Sequence, residues 1–144
     1  MRPPVPTVTV VLDTNLLVSA FLTPGGEALE ILRRARGQRL VLSNAILSEV
    51  EEVLLTRPRL RKTYAYTDED VHQFCRSLLS VAVIVSVTTT LSICSDPDDN
   101  AILACAVDGQ ATCLITRNIN HFPQRYQAVS VMSPQEALKL LPTA

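Results

Sequence analysis

The chain has 144 residues, 47% of them hydrophobic, with 13 basic and 14 acidic side chains for a net charge of −1. That length and apolar content suit one buried core and predict a single domain over residues 1–144, with no global charge that would by itself mark a polyanion binder. The apolar runs are far shorter than the ~20 residues that span a bilayer, so no membrane segment is expected.

Pro3, Pro4 and Pro6 predict an extended, loose lead-in over residues 1–6, without the basic-apolar-small pattern of a secretory signal. Next comes the stretch around which the chain is organised, Thr7 to Asn15. Its β-branched run has no polar alternation and predicts a central strand covered on both faces, ending abruptly at Asp13. Ligands of open parallel α/β sheets bind outside the carboxyl ends of the strands, which is where Asp13 stands.

Leu16 to Arg36 reads as helix, broken at Thr23-Pro24-Gly25-Gly26 and resuming near Glu27, with Gly37 as C-cap. Arg33, Arg34 and Arg36 suit the negative end of that helix dipole. Together with Arg39, and with the second cluster of Arg57, Arg59, Arg61 and Lys62, they are also compatible with a polyanionic partner. Arg39 to Leu42 predicts a short strand, and Ser43 or Asn44 the N-cap of a helix running to about Thr56. Counted at about 100° per residue, Ile46, Val50, Val53 and Leu54 share one stripe, with Glu49 at its edge and Glu51 and Glu52 facing water. A carboxylate at the margin of a buried face requires a partner, which singles out Glu49.

Pro58 is expected to close that helix and Arg57 to Lys62 to form a basic connection. Thr67 caps a helix through Val71, Phe74, Leu78 and Leu79, whose acidic first turn is explained by capping. Val81 to Val87 predicts a further buried strand. In Asp96-Pro97-Asp98-Asp99-Asn100, Asp96 is the natural N-cap and Pro97 the first helical residue. Capping accounts for Asp96 and the helix dipole for Asp98, whereas Asp99 shares the inward side with Ile102, Leu103 and Ala106. Gly109 ends this helix; Ala111 to Ile115 is the next strand, leaving through Thr116-Arg117-Asn118. An irregular stretch to Phe122, a strand over Ala128 to Met132 and a helix capped by Ser133 and Glu136 complete the chain. Alternating strands and helices predict a three-layer α/β/α sandwich with a mostly parallel sheet.

Cys75, Cys94, Cys105 and Cys113 have no zinc-ligand spacing, and Cys105 and Cys113 read as core residues of a reduced, cytoplasmic protein. If Asp13, Glu49 and Asp99 meet at one sheet end, three like charges need a cation among them. With no His or Cys in the set, the ion is a hard one, Mg²⁺ or Mn²⁺, suited to phosphodiester hydrolysis. His72 and His121 are read as surface or loop groups.

Val11-Leu12-Asp13-Thr14-Asn15, Glu49, Asp98 to Ala106 and Ile115-Thr116-Arg117-Asn118 resemble the successive motifs of the PIN-domain ribonucleases, particularly the toxins of bacterial toxin-antitoxin pairs. The resemblance covers about Val8 to Val131. It implies a 3-2-1-4-5 sheet, metal-dependent cleavage of single-stranded RNA, frequent homodimers and a cognate antitoxin. It also implies Asp13, Glu49 and Asp99 as catalytic, metal-binding acids, with Asn15 and Thr116 in supporting polar places. Where many members carry a fourth acid this chain has Asn118, which removes one negative charge from the site. Arg117, beside it, is the expected phosphate contact. Two other readings are a PIN-like RNA-binding or regulatory domain without turnover, motivated by Asn118, and a phosphatase with Asp13 as nucleophile. The phosphatase is disfavoured because Asn15 replaces that family's second Asp and no suitable Lys follows a later strand.

Overall fold

The computed structural model describes residues 7–143, so the expected lead-in over residues 1–6 lies outside the described residues. Among the described residues six strands form one sheet in the order β3-β2-β1-β4-β6-β5. The central strand β1 (Thr9–Leu12) pairs in parallel with β2 (Arg39–Leu42) and β4 (Cys113–Ile115). Parallel pairing continues to β3 (Val83–Ile84) on one side and β6 (Val129–Met132) on the other. The expected five-strand parallel order is therefore present, and the short β5 (Arg125–Tyr126) adds an antiparallel strand at its edge.

Val10, Val11 and Leu12 are fully buried, as a strand covered on both faces requires. Over one face lie α1 (Thr14–Leu22), α2 (Glu27–Arg36), α3 (Asn44–Thr56), α5 (Asp68–Val81) and α7 (Pro134–Leu140), packed side by side in the spatial order α7-α2-α1-α3-α5. The chain then returns from β3 to β4, and right-handed connection puts α6 (Pro97–Asp108) on the opposite face, against β1, β2 and β4. Gly109 closes α6 in an ordinary helical conformation. It is glycine because a Cβ there would stand 2.5 Å from Val41 Cγ1 in the buried β2.

Two expectations are corrected. The valine-rich segment from Val81 to Val87 is not a buried strand: Val81 belongs to α5, pairing covers only Val83–Ile84, and Val83 is 43% exposed. A β-branched run does not distinguish the edge of a sheet from its centre. Pro58 closes α3 but also opens a short helix, α4 (Pro58–Thr63), because its fixed φ and missing N–H suit a first helical position.

Parts of both basic clusters are occupied within the fold. Arg34 pairs with Glu30 and donates to the carbonyls of Leu138 and Leu141 at the end of α7. Arg61 pairs with Asp68, donates to the Leu55 and Tyr66 carbonyls and lies over the Tyr66 ring. Among the described residues no helix is long and apolar enough to cross a membrane. All four cysteines are free, and burial pushes the Cys105 and Cys113 thiols up to about 11, consistent with inert core groups.

Candidate active site

Asp13 terminates β1 and at the same time caps α1, so one residue serves two elements. The helix begins two residues earlier than the sequence suggested, and this is why the carboxylate is so firmly placed. Its backbone N–H donates to the Ile115 carbonyl at 3.1 Å, extending the β1–β4 ladder by one bond. One carboxylate oxygen accepts the Asn15 N–H at 3.2 Å, and the other accepts the Thr116 hydroxyl at 2.6 Å. Asp13 is 3% exposed and Thr116 fully buried. Each Asp13 oxygen keeps a lone pair beyond these bonds, so the group is oriented without being used up.

Thr116 sits at the matching end of β4, where its N–H donates to the Met132 carbonyl and its hydroxyl oxygen accepts the Asn118 N–H at 3.0 Å. The resemblance implied supporting roles for Asn15, Thr116 and Asn118. The structure links all three to Asp13, Asn15 through its backbone rather than its exposed amide. Asn118 is half-buried at the start of the 3₁₀ turn over Ile119–His121.

Glu49 stands at the edge of the buried stripe of α3, whose N-terminus is fixed by the buried Ser43 hydroxyl accepting the Ile46 N–H. The Thr14 hydroxyl donates to Glu49 at 3.3 Å. Burial, followed by the charge of Asp98, holds the Glu49 carboxyl above its ordinary 4.5; the Thr14 bond opposes this, and Asp13 and Asp96 add to it. Asp99 lies in the first turn of α6, half-buried, with one oxygen 3.5 Å from His121 Nδ1. Burial, then the charges of Asp13 and Asp96, push its carboxyl above 3.8, while His121 pulls it down.

Asp13 is thus an electrostatic neighbour of both Glu49 and Asp99, and Asp96 and Asp98 also act on both shifted acids. As placed, however, no three His, Cys, Asp or Glu groups among the described residues are drawn close enough together to hold an ion. Asp96 caps α6 as expected, accepting the Asp98 N–H at 2.8 Å. Arg117 is tied back to the body of the domain, donating to Ser19 Oγ at 2.7 Å and lying 3.9 Å from Glu27.

Three participants were missed by sequence reasoning. Thr14 reaches Glu49 across 35 positions, and the only signal for it was its place inside the Leu12-Asp13-Thr14-Asn15 run. His121, read as a lone loop histidine, faces Asp99. Asn100 accepts the N–H groups of Ile93 and Cys94 and donates to the Cys94 carbonyl, latching the preceding segment to the start of α6.

The family model of the PIN domain matches residues 9–120. An uncharacterised protein of Methanocaldococcus jannaschii is 32% identical over 106 residues, covering 72% of this chain and 67% of its own length. Among solved structures, a chain in the crystal structure of VapBC2 from Rickettsia felis bound to a DNA fragment from their promoter superposes with a TM-score of 0.64 at 17% identity. That match covers 88% of this chain and 98% of the other, and it shows a shared fold. With the sheet order, the acidic strand end and a family match that spans most of its length, the chain belongs to the PIN-domain family.

Proposed function

We propose that the protein is a metal-dependent endoribonuclease acting on single-stranded or structured RNA, and the toxin of a toxin-antitoxin pair. The observation that carries this reading is the buried Asp13, pinned by Thr116 and the Asn15 N–H, whose charge adds to burial in raising both Glu49 and Asp99. A set of carboxylates that resist ionising together is relieved by a cation. Its all-oxygen donors fit Mg²⁺ or Mn²⁺, which Asp13, Glu49 and Asp99 would hold. When bound, such an ion supplies positive charge to the phosphodiester and lowers the pKa of a nearby water.

The protein's own part is placement. Thr116 and the Asn15 N–H fix the Asp13 carboxylate, the Thr14 hydroxyl orients Glu49, and the α6 N-terminus presents Asp99. Asn118, bonded through its backbone N–H to Thr116, brings no charge to the site. Arg117, half-exposed next to Asn118, is the cation nearest in sequence for an RNA phosphate, although its bonds to Ser19 and Glu27 must be shared or released to make that contact. The VapBC2 assembly supports an antitoxin partner by likeness of fold, and a homodimer and a cytoplasmic location complete the proposal.

Purified protein should cleave members of a pool of structured RNAs with Mn²⁺ and not with EDTA, and Asp13→Asn should not cleave. The absence of charge at Asn118 favours one alternative, an RNA-binding regulatory domain. RNA binding without Mn²⁺-dependent cleavage would establish that alternative and sink the nuclease.

A further inference from the structure

Beside Asp99 opens a cleft of about 440 Å³, within the size range of small-ligand sites. The segment before α6 lines it with Ile93, Cys94 and Asp96, and the turn after β4 with Asn120, His121 and Phe122. The first of these walls is held in place: the Asn100 amide accepts the Ile93 and Cys94 N–H groups and donates to the Cys94 carbonyl, and Asn100 adjoins Asp99 on α6. The cleft and the candidate catalytic acid are therefore set by the same turn of helix.

Its lining limits what it can receive. Asp96 and Asp99 border it and oppose an anion, so a phosphate group is a poor occupant. Ile93 is 50% exposed, an aliphatic side chain the fold leaves uncovered, while Phe122 is anchored in the core and gives the cleft an apolar base. The planar imidazole of His121 lies beside Asp99, and Asn120 brings an amide with both donors and an acceptor. A flat, neutral ring with polar edges matches apolar walls, an aromatic plane and an amide; an unpaired nucleobase has that chemistry.

We propose that this cleft receives the base of the nucleotide flanking the scissile phosphate, with His121 as its stacking surface and Asn120 bonding its edge. The inference rests on the nuclease reading and deepens it: a base can enter only from an unpaired segment, so the cleft selects single-stranded sites.

The test uses an oligonucleotide carrying a site that the wild-type protein cuts in a mixed-sequence RNA pool, with the nucleotide on either side of the cut replaced in turn by an abasic one. At one of the two positions the abasic substrate should lose about tenfold or more in kcat/KM, the scale of one base-aromatic stack. His121→Ala should abolish that discrimination, and His121→Phe, which keeps a ring and no titratable group, should restore it. His121 is exposed, so neither variant threatens folding. Equal cleavage of abasic and parent substrates, or discrimination that survives in His121→Ala, overturns the inference while leaving the nuclease intact. If the wild-type protein cuts no RNA, the nuclease reading fails, and the cleft is decided separately by NMR titration with AMP, CMP and ribose 5-phosphate. Shifts at Ile93, Asn120 and His121 with the nucleotides alone support a base site; shifts with ribose 5-phosphate as well, or with none of the three, overturn it.

Discussion

The two sides of the candidate site are built differently. Around Asp13, strand ends, a helix cap and the buried Thr116 hydroxyl leave the carboxylate little freedom, and Asp13 and Thr116 are almost wholly removed from solvent. Around Asp99, one half-buried carboxylate faces an exposed histidine at 3.5 Å, and the adjoining segment is held by a single amide. The inner side is fixed by the sheet, whereas the outer side is fixed by loops, which are where substrate-contacting groups usually concentrate. The difference teaches that one site can hold one acid rigidly from the sheet while the groups around another are set by exposed loops.

The sharpest way to break this comparison is Asp13→Asn. It should cost at least about a hundredfold in RNA cleavage. The thermal midpoint should change little, because Asn is as good an N-cap as Asp and the loss of one repelling charge offsets the weakening of the Thr116 hydrogen bond. Thr116→Val should behave otherwise, losing about 10–100-fold in Mn²⁺ affinity or activity because it frees the Asp13 carboxylate that the proposed function assigns to the ion. It should also destabilise by about 1.5–3 kcal/mol through the lost charge-assisted hydrogen bond, measurable by urea unfolding. A Thr116→Val protein with unchanged stability would show that the inner side is not held as described.

Gly109→Ala probes the far end of α6, away from the site-bearing turn. Its new methyl meets Val41 in the core, and overpacking of this kind costs about 1–3 kcal/mol. Mn²⁺ affinity measured on the folded variant should be unchanged.

The smallest effect is a pH dependence. Glu49 and Asp99 have folded-state values above 4.5 and 3.8, so the folded protein binds more protons than the unfolded chain in the window just above those values. Without metal, stability should therefore rise as pH falls from neutral into that window. Asp108 acts in the opposite direction: bonds from Thr89 and Thr88 hold it below 3.8, and its contribution is lost at more acid pH. Saturating Mn²⁺ should remove the rise by stabilising the carboxylates, and a metal-free protein whose midpoint falls steadily from pH 7 downward would contradict the assignment.

Much of the placement of the three acids was legible in the sequence. A buried strand that stops at an acid placed Asp13, and helical angle put Glu49 at a stripe margin and Asp99 on the inward side of α6, because local periodicity determines which way a side chain leaves its element. What periodicity could not supply was contact between elements. The Thr14–Glu49 and His121–Asp99 pairs join residues that are distant in sequence. Val83 illustrates the same limit within the fold, since its β propensity carried no information about its place at the sheet edge.

The central claim is that Asp13, Glu49 and Asp99 together hold one divalent ion, and that the missing charge at Asn118 limits the site to one. Two close divalent ions repel strongly, and a fourth carboxylate is the kind of group that offsets this. Titration calorimetry with Mn²⁺ on the wild-type protein, on Asp13→Asn, Glu49→Gln and Asp99→Asn, and on Asn118→Asp tests both parts. The account predicts a single site in the wild type, weakened in each of the three neutralised variants, and tighter binding of a second ion in Asn118→Asp. Two tight sites in the wild type, unchanged affinity in any of the three, or no gain from Asn118→Asp would contradict it.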